Sequence, residues 1–181
     1  MQVLETGISG LVQIIPSVFA DDRGWFMEFT KHSAFARIGI TDEFSQDNIS
    51  YSRQGVIRGL HLQKAPFAQS KLVTVLAGRV IDVAVDLRPG SPTFLKHAAI
   101  ELSAGLHNML YIPAGFAHGF SVLEDATFFY KCSTEYNPAA EAGIRWNDPE
   151  LAIDWRVDNP IVSAKDAILP TAADLISAAV I

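Results

Sequence analysis

Two of the five histidines stand in surroundings that invite chemistry. His61 lies in Arg58-Gly59-Leu60-His61-Leu62-Gln63, and His118 closes Pro113-Ala114-Gly115-Phe116-Ala117-His118. An imidazole titrates near neutrality, so either ring suits general acid–base work or metal ligation. His32, His97 and His107 sit in ordinary polar contexts and receive no role. A histidine taken alone is more often structural than catalytic, and the other reactive side chains are no more telling by themselves. Tyr130, flanked by Phe128 and Phe129, reads as core. Lys71 reads as an exposed strand residue, and Asp166 as a helix cap or a surface turn. Cys132 alternates with Phe128 and Tyr130, which suits a small buried hydrophobe better than a nucleophile. It is the one cysteine, so no intrachain disulfide can form, and a reducing, cytoplasmic setting is expected.

The elements that must position these groups are strands. Leu11–Ile15, Trp25–Thr30, Phe44–Ser52, Val56–Gln63, Lys71–Leu76, Arg79–Asp86, His97–Leu102, Met109–Ile112, Gly119–Leu123 and Phe128–Ser133 all carry strand signals. Gly and Pro punctuate them at Ala77-Gly78, at Arg88-Pro89-Gly90-Ser91-Pro92 and at Pro113-Ala114-Gly115. Many short strands with frequent turns predict a sandwich or barrel. A helix is expected at Ser33–Ile38, closed by Gly39, and the apolar tail Thr171–Ile181 reads as a packed helix or a frayed end. The alternation also sorts side chains by face. Gln46, Asn48, Ser50 and Ser52 share one face, and Ile49 and Tyr51 the other; Ile81, Val83 and Val85 oppose Asp82, Ala84 and Asp86. Such a polar face is either the solvent side of a sheet or the lining of a polar cavity inside a barrel. In the Val56–Gln63 run, simple alternation separates Arg58 from His61, and a bulge at Gly59 would reunite them.

The chain has 181 residues, 49% hydrophobic and 19% charged, which bounds it to one globular domain spanning 1–181. A net charge of −6 argues against a nucleic-acid partner, while a few converging Arg and Lys still suffice for a small anion. No basic segment leads into an apolar run at the N-terminus, and polar residues interrupt every apolar stretch, so neither a signal peptide nor a membrane span is expected. No GxGxxG opens a helix after a strand, so a hydride cofactor has no support.

The Pro113–His118 run, PxGxxH, resembles the second motif of the cupins. Metal-binding cupins add an HxH pair, but the matching place reads His61-Leu62-Gln63, one ligand short of a usual metal site. No metal is therefore expected. A narrower resemblance covers nearly the whole chain in six ordered stretches. They are DDRGWFMEF from Asp21, QDNISYSRQGVIRGLHLQ from Gln46, QSKLVTVLAGRVIDVAVDLRPGSPTF from Gln69, LYIPAGFAHGFSVL from Leu110, FYKCSTEYNPAAEAGIRWNDPEL from Phe129, and SAKD from Ser163. In these stretches the chain resembles the dTDP-4-dehydrorhamnose 3,5-epimerase family.

That resemblance implies a mainly β fold, a cupin-type double-stranded β-helix (jelly roll) with a few short helices. It implies that His61 is a base, Asp166 its carboxylate partner, Tyr130 an acid on the opposite face and Lys71 a cation beside the ketone oxygen of a dTDP-linked 4-keto-6-deoxy sugar. Arg23 and Arg58 match positions that hold the diphosphate or sugar, and guanidinium groups suit phosphate. Gln46, Asp47 and Asn48 match a ligand-contacting run. Glu28, His118, Glu141 and Lys165 match further binding positions, Tyr136 an aromatic stacked on the thymine, and Phe26 a neighbour of the nucleotide. The resemblance also implies a homodimer in which the N-terminal segment reaches the neighbouring site, and no organic cofactor, since the substrate ketone is itself the electron sink. A single-carbon epimerase shares this machinery. A non-catalytic nucleotide-sugar-binding cupin would keep the arginines without needing base, partner and acid together. A metal-dependent cupin would need the HxH pair.

Overall fold

In a computed structural model, which describes residues 1–179, the chain folds as β structure with three short helices. The strands are β1 (Gln2–Glu5), β2 (Val12–Ile15), β3 (Val18–Asp21), β4 (Gly24–Met27), β5 (Gln46–Ser52), β6 (Val56–Gln63), β7 (Lys71–Asp86), β8 (His97–Ser103), β9 (Met109–Ile112), β10 (Phe116–Cys132), β11 (Glu141–Gly143) and β12 (Ile161–Val162). The helices are α1 (His32–Ala36), α2 (Ala164–Ala167) and α3 (Ala172–Ser177). The β3–β4 pair forms its own hairpin, and the other strands join through the order β1-β2-β9-β7-β10-β6-β11, with β5 on β10, β8 on β7 and β12 on β6. The architecture is the expected cupin-type jelly roll.

β6 and β9 keep the bounds expected from sequence, but two expected pairs of strands are each one long strand. Lys71–Leu76 and Arg79–Asp86 run together as β7, and Gly119–Leu123 and Phe128–Ser133 run together as β10, which ends one residue sooner, at Cys132. Gly78 bends the chain here without ending the strand. Its φ is +79°, and a Cβ on it would lie 2.1 Å from the Asp125 carbonyl oxygen of β10. Opposite it, β10 shifts register three times between Val122 and Phe128. Bulges of this kind let a strand turn a corner and pass between sheets. β7 accordingly pairs with β9 through Lys71–Thr74 and with β8 through Arg79–Val85. Strands β1, β3, β11 and β12 were absent from the sequence expectation; all four are two to four residues long and carry too little alternation to be read.

The faces resolve the ambiguity left by alternation. Phe116, Phe120, Phe128, Val73 and Val80 pack inside the roll, with the Phe120 and Phe128 rings stacked at 4.2 Å. Ile81, Val83 and Val85 face outward, yet are covered by Ile144, Leu151, Trp155 and Leu175 from the C-terminal segment. So β7 has no solvent face there, and Asp82 and Asp86 are fully buried. β5 is inverted: Gln46, Asn48 and Ser50 turn to cavities, while Ile49 and Tyr51 are exposed. The C-terminal segment closes in α3, where a Thr171–Asp174 capping box starts a turn that buries Ala172 and Leu175. The end of the predicted tail, residues 180–181, lies outside the described residues.

Candidate active site

The site begins with a bulge. His118 of β10 pairs with His61 of β6, but Phe120 pairs with Arg58, so three steps on β6 match two on β10. Gly59 makes this possible with φ +116°; a Cβ there would sit 2.6 Å from Gly119 Cα and 2.7 Å from the His118 carbonyl oxygen. The extra residue returns Arg58 and His61 to one side. Both line a cavity of about 540 Å³, together with Lys71, His118, Tyr130 and Asp166.

Asp166 arrives from far along the chain. β12 runs parallel to β6, pairing Ile161 with Val56 and Val162 with Ile57, and this lays the Ser163–Asp166 turn beside His61. Ser163 caps α2 by accepting from the Asp166 N–H at 3.0 Å. The Asp166 carboxylate then lies 2.7 Å from His61 Nε2 through Oδ1, and accepts the Gly59 N–H through Oδ2 at 3.3 Å. Burial pushes this carboxyl upward. The His61 hydrogen bond and charge, with the Gly59 N–H, outweigh burial and hold it below its ordinary value. An ionised carboxylate only accepts, so His61 presents Nε2–H to it, which leaves Nδ1 as an acceptor.

A second imidazole–carboxylate pair stands across the strand. His118 Nε2 lies 2.9 Å from Asp82 Oδ2, both groups buried, and Asp82 Oδ1 has no partner among the described residues. Lys71 forms no ion pair among the described residues. Burial lowers its ammonium pKa, while the nearby Cys132, Asp82 and Glu141 pull it back upward. Tyr130 shares the β10 register with Val73 and Asn48. Burial raises its phenol pKa, Cys132 adds to that, and Arg58 opposes it. A raised phenol pKa keeps the proton on the ring oxygen near neutrality, which is what a donor needs.

A second cavity of about 250 Å³ shares His61, Lys71 and Tyr130 with the first and adds Gln46, Asn48, Gln63, Tyr136 and Glu141. Glu141 joins its rim groups: Tyr136 Oη donates to it at 2.8 Å and Lys165 Nζ at 2.6 Å. Asp47 does not reach either cavity. Alternation turns it to the outer face of β5, where Lys131 Nζ holds it at 2.6 Å. Arg23, Phe26 and Glu28 are also not brought in by their own chain. Arg23 and Phe26 belong to the exposed β3–β4 hairpin, Arg23 pairs with Asp21, and Glu28 pairs with Lys31. Sequence reasoning gave no role to Asp82 or Ser163. Asp82 had a signal, because a carboxylate inside the apolar run of β7 demands a buried partner. Among the described residues no three His, Cys, Asp or Glu side chains converge as a metal cage.

This combination of an imidazole, its carboxylate, a phenol and an ammonium around one cavity can be set beside known proteins. The family model described as dTDP-4-dehydrorhamnose 3,5-epimerase matches residues 5–174. The dTDP-4-dehydrorhamnose 3,5-epimerase of Escherichia coli K12 is 48% identical over 179 residues, covering 97% of each chain. A crystal structure of dTDP-6-deoxy-D-glucose-3,5-epimerase from Legionella pneumophila, in complex with dTDP-4-keto-L-rhamnose, superposes with a TM-score of 0.94 at 45% identity, covering 99% of this chain and 96% of that one. A 3′-monoepimerase from Streptomyces bikiniensis, in complex with dTDP-quinovose, follows with a TM-score of 0.89 at 32% identity, covering 96% and 89%. The chain belongs to the dTDP-4-dehydrorhamnose 3,5-epimerase family.

Proposed function

We propose that the protein epimerises carbons 3 and 5 of dTDP-4-dehydro-6-deoxy-D-glucose, giving dTDP-4-dehydro-L-rhamnose. The observation that carries this is the Asp166–His61 pair opening onto the same cavity as Tyr130 and Lys71. The 4-keto group acidifies the C–H bonds at carbons 3 and 5. His61 Nδ1 takes one of these protons, and Asp166 stabilises the imidazolium that results. The electron pair moves onto the ketone oxygen, where the Lys71 ammonium meets the developing charge. Tyr130 returns a proton from the other face, inverting the carbon. Arg58, whose Nε donates to Ser52 Oγ at 2.9 Å, aims a fixed guanidinium toward the diphosphate. Asn48, His118, Glu141 and Lys165 line the sugar and nucleotide path, with Tyr136 placed for the base.

The protein works in the cytoplasm as a homodimer in this reading, and the β3–β4 hairpin supplies Arg23 and Phe26 to the neighbouring site, with Glu28 following it. Two observations support the arrangement. Phe19, Trp25 and Phe26 are 57–65% exposed on that hairpin, and none of the three predicted binding residues meets its own cavity.

Single-carbon epimerisation is the second reading, favoured by the likeness to a 3′-monoepimerase. One experiment separates the two. The purified protein is given the 4-keto-6-deoxy-glucose nucleotide, and the product is examined by proton NMR. Inversion at both carbons, lost in His61→Ala, is the expected result. Inversion at one carbon establishes the second reading, and no inversion by folded protein overturns both.

A further inference from the structure

Gln63 stands where metal-binding cupins carry a ligand, and its amide is wholly engaged elsewhere. The side chain is buried at the end of β6. Nε2 donates to the Phe67 carbonyl oxygen at 2.7 Å and to that of Glu135 at 3.3 Å, and Oε1 accepts the Asn137 N–H at 2.7 Å. The residue between these last two is Tyr136. Its own N–H donates to Gln46 Oε1 at 2.8 Å. Two residues before Tyr136, the Thr134 carbonyl accepts from Gln69 Nε2. Among the described residues, no backbone-to-backbone hydrogen bond outside regular strands holds residues 134–136. Four successive residues, Thr134 to Asn137, are therefore tied down through their backbone by three glutamine side chains from β5, β6 and the segment before β7.

We propose that Gln63 is a positioning residue of the nucleotide subsite: its amide fixes the backbone on both sides of Tyr136 and so sets the ring in place for an aromatic base. This rests on the assignment of Tyr136 to the base given above. Two features support it. The clamp is made of neutral amides, each able to donate and accept, so loop placement does not vary with pH. The Tyr136 side chain is half exposed on the rim of the second cavity and, among the described residues, hydrogen-bonds only Glu141 through Oη, so the ring's placement depends on how its backbone is held. The Gln63 amide hydrogen-bonds backbone and none of the proton-transfer groups, so its loss is expected in binding and not in turnover.

The test compares Gln63→Leu, Tyr136→Ala and the double variant by calorimetric titration with dTDP and by steady-state kinetics. Gln63→Leu is expected to weaken dTDP binding and raise KM by about tenfold, the scale of losing hydrogen bonds that order a contact. Its kcat is expected to stay within about twofold of the parent, and Gln63→Leu should add nothing in the Tyr136→Ala background. Unchanged dTDP affinity in Gln63→Leu, a fall in kcat at constant KM, or fully additive losses overturns the proposal. If Tyr136→Ala binds dTDP as the parent does, the assignment of the base to Tyr136 fails, and the proposal falls with it; a Tyr136→Ala loss without a Gln63→Leu loss overturns the proposal alone. Should Gln63→Leu not fold, Gln63→Glu, which keeps the acceptor for Asn137 but loses both donors, is read in the same way.

Discussion

Asp166 holds His61 by Nε2, and in the proposed mechanism Nδ1 is the base. An amide in place of that carboxylate removes the charge that stabilises the imidazolium and permits the wrong tautomer. Asp166→Asn is therefore expected to lower kcat by roughly 10²–10⁴-fold with little change in KM, as measured by steady-state kinetics. Lys71 shows the opposite balance of stability and function. Burial works against its charge, so the folded state carries a penalty at neutral pH that lessens as pH rises through the lowered folded pKa. Lys71→Met is expected to lower kcat by about 10²–10³-fold, while its Tm stays at or above that of the parent. A fall in Tm would show the ammonium to be structural. At this scale, the family resemblance rather than the local sequence pointed to Asp166, Tyr130 and Lys71. Asp166 meets His61 across 105 residues of chain, and no local pattern encodes a contact of that span. Asp82 was legible in principle, as a lone charge in an apolar strand.

Elements set the site through the crossing of β6 and β10. Gly59 and Gly119 face one another across it, and a Cβ on Gly119 would lie 2.6 Å from the Arg58 carbonyl oxygen. These contacts are to backbone, which cannot swing aside. Gly119→Ala is expected to cost about 1–3 kcal/mol in urea denaturation, and to lower activity further by separating Arg58 from His61. An unchanged denaturation midpoint would contradict the close approach. Most strands were legible because half-buried alternation is a strong signal, and β6 and β9 were placed to the residue. The merging of strands in β7 and β10 was not, because Gly78 looks alike in a turn and in a bulge until the opposing Asp125 is known. The inversion of β5 was equally hidden: a polar face reads the same whether it meets solvent or a cavity.

For the whole molecule, buried carboxylates tie acid stability to the fold. Burial raises the Asp86 carboxyl, but hydrogen bonds from Arg88, Ser91 and Thr93 outweigh it and leave it far below its ordinary value. Asp166 is lowered as well. Groups with depressed folded values contribute stability that is complete above about pH 4 and is lost as pH falls through those folded values. Asp86→Asn is expected to lower Tm at pH 7 and to flatten its decline toward acid, as followed by calorimetry; an unchanged slope would remove Asp86 from the account. The proposed dimer makes its own prediction. If the β3–β4 hairpin serves the neighbouring site, mixing His61→Ala with Arg23→Ala should restore about a quarter of the sites after subunit exchange. No recovery at limiting substrate would place Arg23 in its own chain's site or in none.

The proposed mechanism needs one cavity to set two proton-transfer groups on opposite faces of the sugar. The most direct test is Tyr130→Phe with substrate in deuterated water, followed by proton NMR. Deuterium is expected still to enter at carbons 3 and 5, because His61 and Asp166 remain, while epimerised product does not accumulate. Loss of exchange together with product, in folded protein, would contradict the division of roles. Unimpaired epimerisation would remove Tyr130 as the acid.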